Sequence, residues 1–215
     1  VGVEKFTNLK GLKCDYNLLT NLDVTGLTNL QTLNCDGNKL TALNLENLTN
    51  LVELNCSYNQ LISLNVLSLT NLQTLKCTQN QFTSLDFRGL ANILYLSCSS
   101  NQLTSINLSG LTNLQTLICL GKLTTLNLTD LTNLQSLYCY GNELISLDLS
   151  GLTNLKILSC YSNELTSLNA TGLTNLQELD CNYNQLTSIN LEGLTNLKIL
   201  DCSHNQLTSM DLSTL

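Results

Sequence analysis

Apolar residues recur along this chain at a fixed spacing. Each unit opens on Leu9, Leu30, Leu51, Leu72, Ile93, Leu114, Leu134, Leu155, Leu176 or Leu197, a step of 21 interrupted by a single step of 20. Within a unit, positions 1, 4, 6, 11, 14, 16 and 19 are apolar and mostly leucine, with cysteine at 6. Such self-similarity takes precedence over any local reading. Positions 3 to 7, as in TLNCD or SLYCY, alternate with a period of two. That alternation predicts a short strand with positions 4 and 6 inward and 3, 5 and 7 outward. One such strand cannot bury its apolar side alone. Ten of them stacked in parallel, about 4.8 Å apart, form a sheet over a continuous core. The leucines at 11, 14, 16 and 19 fill the rest of each coil.

Three polar columns accompany the apolar ones. Position 9 is asparagine in nine units, position 15 is asparagine or aspartate in all ten, and position 21 is asparagine from Asn8 to Asn196. The corners of a coil hold backbone groups that no strand ladder reaches, and short amide side chains satisfy them. Stacked asparagines can also bond to one another. The sixth unit, CLGKLTTLN at 119–127, lacks the asparagine of position 9 and is one residue short. The turn there must tighten through Leu120, Gly121 and Lys122. Glycine at 121 permits backbone angles closed to other residues. The shortening reads either as a tolerated deletion in a surface turn or as a kink beside a site.

Composition narrows the function. Nine basic residues against 16 acidic ones leave a net charge of −7, which argues against nucleic acid and anionic membrane surfaces. No run of eighteen apolar residues spans a bilayer. The ten cysteines, at 14, 35, 56, 77, 98, 119, 139, 160, 181 and 202, follow the repeat and form no CxxC or CxxH pair. They read as a column of small buried groups, with neither zinc nor any other cofactor implied. The single histidine, His204, follows Ser203 directly, so with Asp201 these residues do not make a catalytic triad. We read the chain as a non-enzyme.

The outward positions differ along the chain. Units one to four carry small polar and charged groups, whereas units five to eight gather Tyr95, Ile118, Leu120, Tyr138, Tyr140, Ile157 and Tyr161. These seven are the candidate ligand-binding residues, because clustered exposed aromatic and aliphatic groups mark interaction sites. Cross-strand stacking that merely stabilises the sheet is the competing reading. Glu178, Asp180 and Asp201, with His204 on the next turn, read as a solvated acidic end ahead of a weak cation site. Threonine at position 20 in nine units and at position 12 in eight forms two ranks along the coil.

The first eleven positions match L-x-x-L-x-L-x-x-N-x-L, with cysteine in the third apolar slot, and the chain thereby resembles leucine-rich-repeat proteins over essentially its whole length. The resemblance implies a right-handed solenoid with a parallel sheet on the concave face and short 3-10 or extended segments on the convex face. Residues 1–215 would form one domain of ten repeats. The chain looks most like bacterial cell-surface members, the group of internalins and related adhesins, although those repeats typically have 22 residues and an outer proline. That likeness implies a protein-binding scaffold, secreted or at the cell surface, that engages a host or surface receptor through the concave face. The alternatives are an ice-binding solenoid, from the threonine ranks, and a purely structural one. Five N-x-S/T sequons, at Asn47, Asn55, Asn107, Asn127 and Asn169, read as chance products of an Asn/Thr-rich repeat. Val1, Val3 and Phe6 fit positions 14, 16 and 19 of a preceding half-unit, and Leu215 fits position 19. Without evident polar caps, the expectation is a part of a longer protein, its ends covered by further domains or by self-association.

Overall fold

A three-residue strand makes too few hydrogen bonds to stand alone, and here each is paired in register with its neighbours. The structure, a computed structural model, describes residues 6–213; Val1, Val3 and Leu215 lie outside them. The main sheet is built of β1 (Gly11–Lys13), β2 (Thr32–Asn34), β3 (Glu53–Asn55), β4 (Thr74–Lys76), β5 (Tyr95–Ser97), β6 (Thr116–Ile118), β7 (Ser136–Tyr138), β8 (Ile157–Ser159), β10 (Glu178–Asp180) and β12 (Ile199–Asp201). All ten are parallel and lie in sequence order. Two shorter strands, β9 (Leu168–Asn169) and β11 (Ile189–Asn190), pair beyond the turn. The strands cover positions 3 to 5 of the repeat and are shorter than the alternation from 3 to 7 suggested. Backbone bonds nevertheless continue past them, as from the Cys14 amide to the Asn34 carbonyl (2.8 Å) and from the Tyr16 amide to the Asp36 carbonyl (2.8 Å).

The core follows the predicted phase. Leu33, Leu54, Leu75, Leu96, Leu117, Leu137, Leu158 and Leu179 at position 4 are buried, as are the cysteines from Cys35 to Cys181. Cys139 is inside, while its neighbour Tyr138 is half-exposed. Opposite the sheet, the chain runs through successive tight turns. The Leu27 amide bonds to the Val24 carbonyl (3.1 Å) and the Leu30 amide to the Leu27 carbonyl (2.9 Å), and equivalent turns recur in later coils. These bonds span three residues, as in a 3-10 helix, without extending into one.

Each asparagine column has its own partners, and these are backbone groups. At position 9, Asn59 Oδ1 accepts the Leu40 amide of the preceding coil (3.0 Å). Its Nδ2 donates to the carbonyls of Cys35 (3.0 Å), Cys56 (3.2 Å) and Ser57 (2.9 Å). One buried side chain thus ties two coils. At position 21, the exposed Asn50 Nδ2 donates to the Thr28 carbonyl one coil back (2.9 Å). At position 15, Asn44 Oδ1 accepts the Glu46 amide (3.0 Å) and closes a turn within its own coil. The asparagines of position 9 do not bond to one another, because each spends its donors and acceptor on main chain.

Candidate binding face

The seven predicted residues come together on the main sheet. Ile118 lies directly across from Tyr138 in the β6–β7 pairing, and Tyr95 across from Thr116 in the β5–β6 pairing. Tyr140 and Tyr161, just past the ends of β7 and β8, stack with ring centroids 4.3 Å apart and planes 9° from parallel. All seven are half-buried. Burial, and then Tyr140, push the Tyr161 hydroxyl above its ordinary value, while burial and Tyr138 do the same for Tyr95. Both phenols therefore stay neutral, hydrogen-bonding groups at physiological pH. Lys76 Nζ lies 5.4 Å from the Tyr95 ring centroid, within cation–π range.

Small serines sink between these side chains. Ser97, Ser99 and Ser159 point outward by phase yet are buried, Ser97 beside Ile118 and Ser159 beside Tyr138. The position-5 row therefore reads Ser97, Ile118, Tyr138, Ser159, Asp180, Asp201 across adjacent strands, in register throughout. No charged residue occurs at positions 3, 5 or 7 between Lys76 and Glu178.

The shortened sixth coil lies within this band, between β5 and β7. Gly121 takes a φ of 155°, whereas position 8 in the other nine coils lies between 49° and 63°. In eight of those coils, from Asn38 to Asn205, the position-9 asparagine accepts an amide of the preceding coil; here the Leu103 amide loses that acceptor. A small cavity remains, with room for about one water centre (≈ 10 Å³), lined by Cys98, Asn101, Leu103, Ile106, Cys119, Leu120 and Leu123. The next rung back is loosened as well, with Phe82 N to Asn101 Oδ1 at 3.3 Å. Ser99 Oγ accepts the Leu120 amide (3.0 Å).

One column escaped the sequence pattern. Position 8 is left-handed in nine coils, and Tyr16, Tyr58, Gln79, Ser100, Ser162, Tyr183 and His204 hold that strained geometry without being glycine. Tyr16, Tyr58 and Tyr183 are exposed there, and the Tyr183 ring stacks on His204 at 4.1 Å. Gly37 and Gly141 in the same column were the available signal. The stack also takes His204 out of any triad: Ser203 Oγ bonds to Asp201 Oδ1 (2.7 Å) instead. Among the described residues, no three acidic, thiol or imidazole groups converge as a metal would require. At the acidic end Asn182 Nδ2 bridges Asp180 Oδ1 (2.8 Å) and Asp201 Oδ2 (2.9 Å).

Comparison with known proteins now bears on this geometry. Models for leucine-rich repeats match residues 132–172, 174–214 and 29–51. The functional domain of InlJ from Listeria monocytogenes, which includes a cysteine ladder, superposes with a TM-score of 0.92 at 39% identity over 99% of this chain. The chain belongs to the leucine-rich-repeat family. Its repeats are of the bacterial, internalin-like type. A leucine-rich-repeat protein of Leptospira interrogans is 32% identical over 95% of the chain (TM-score 0.89), and YopM, an effector of Yersinia pestis, is 25% identical over 92% (TM-score 0.81). This leucine-rich-repeat chain spans 48%, 57% and 55% of those three proteins. No curated protein matches it. Proteins of this family are non-catalytic scaffolds that bind other proteins, and the buried thiol column found here parallels the ladder of InlJ.

Proposed function

We propose that this chain is a non-catalytic binding module, secreted or displayed at a bacterial surface, that engages a protein of a host or neighbouring cell through its sheet face. The contact residues are Tyr95, Ile118, Leu120, Tyr138, Tyr140, Ile157 and Tyr161. One observation carries the reading: an uncharged band of half-buried aromatic and aliphatic groups crosses adjacent strands on a face with no packing partner among the described residues. Aromatic side chains anchored in this way supply large contact area at small entropic cost. The threonine ranks favour an ice-binding reading less. Positions 12 and 20 are separated in each coil by the turns of positions 15 to 19, so each place offers one threonine per rung.

The test is capture. Immobilised chain, incubated with surface extracts of candidate host cells, retains a protein that the Tyr138→Ser/Tyr140→Ser variant does not. Equal capture by both removes the patch. Thermal hysteresis on cooling is expected to be absent.

A further inference from the structure

The band is bounded differently on its two sides. Toward the first coils its neighbour is Lys76, whose charge already rests on the Tyr95 ring. Toward the last coils its neighbours are Asp180 and Asp201, side by side in the β10–β12 pairing. Among the described residues no cation lies within ion-pair distance of either. The only ion pair among the described residues is Arg88–Asp86, which lies elsewhere. Lys156 and Lys198 bond to Gln135 and Gln177 at the far edge of the sheet (3.0 and 2.9 Å). His204 lies beyond ion-pair distance of Asp201, its ring held on Tyr183, and the bonds from Ser203 and then Asn182 hold the Asp201 carboxyl below its ordinary range. Asp180 is half-buried, and burial first and Asp201 second push its carboxyl above the ordinary range. Two carboxylates, bridged by the Asn182 amide, thus sit side by side at the rim of an apolar surface, with Ser159 forming a dip between them and Tyr138.

Building on the reading of the sheet as a protein-binding face, we infer that its occupant is an extended segment with an aromatic or apolar side chain over Ile118 and Tyr138 and an arginine or lysine over Asp180 and Asp201. The geometry sets the spacing. From β7 to the midpoint of β10 and β12 is two and a half strand intervals, about 12 Å, which an extended chain covers in about four residues. A guanidinium there bonds to both carboxylates, a charge-assisted contact that a neutral group does not make. An acidic segment is repelled at the same place.

A random linear peptide library displayed on phage, selected on the full chain, tests this. Selected peptides are expected to carry a basic residue about four positions from an aromatic one. A synthetic copy should bind the Asp180→Asn/Asp201→Asn variant about tenfold more weakly than wild type. Both substitutions keep size and lie on the solvent side, and circular dichroism checks that the fold is retained. Selected peptides without a basic residue, or equal binding to the Asn variant, overturn the inference while leaving the binding face intact. Binding unaffected by Tyr138→Ser/Tyr140→Ser overturns the face itself, and a selection that enriches nothing overturns both.

Discussion

A buried asparagine is tolerated only when each of its polar atoms is paired, and position 9 meets that condition with four backbone partners drawn from two coils. Replacing Asn59 with alanine strands the Leu40 amide and removes the donor to three carbonyls. Removal of a buried partner costs the desolvation of what it leaves behind, so Asn59→Ala should lower stability by about 2–4 kcal/mol. Asn50→Ala removes one exposed bond and should cost less than about 1 kcal/mol. Urea unfolding of the two variants measures the difference; equal losses would mean that the buried column is not what joins the coils. The sequence shows both columns with equal clarity, since both are asparagine at a fixed spacing. It does not show which one is buried, because that depends on how far the next coil overhangs.

At the scale of the single coil, the sixth unit is the exception that tests the rule. Its missing residue leaves the Leu103 amide without the usual acceptor, a cavity of about 10 Å³ and a lengthened rung at Asn101. Inserting asparagine between Gly121 and Lys122 restores the position-9 side chain and lets Gly121 adopt the left-handed angle of Gly37 and Gly141. The insertion should stabilise the protein by about 1–2 kcal/mol, read as a higher urea midpoint. A lower midpoint would show that the short turn is the relaxed form. The gap was plain in the sequence. Its cavity was not, since a neighbouring side chain could have closed it.

Across the whole molecule, the thiols form one continuous buried column, and their titration is a property of the stack. Burial above all pushes the thiols of Cys35, Cys98 and Cys181 up to about 12. A folded-state value above the unfolded one favours the protonated thiol in the folded state. That contribution is complete below the unfolded value near 9 and is lost as pH rises from there toward 12. The urea midpoint should therefore hold steady up to about pH 8.5 and fall above it, with the thiolate absorbance of the buried cysteines appearing only as the fold is lost. Iodoacetamide should reach Cys14 and Cys202 first, at the half-buried ends of the column. Early reaction of Cys98 or Cys119 would contradict the burial. By itself the sequence determined the period, the inward and outward phase and hence the coil, because every unit faces the same demand to bury the same columns. It also placed seven side chains on one face. Only the tertiary structure decided that Tyr140 and Tyr161 stack, that position 8 is left-handed, that the serines beside Ile118 and Tyr138 are buried, and that Asp180 and Asp201 have no ion-pair partner among the described residues. Those outcomes depend on residues some twenty positions apart meeting across a strand interval, where size, rotamer and charge of the neighbour, rather than the repeat, settle the contact.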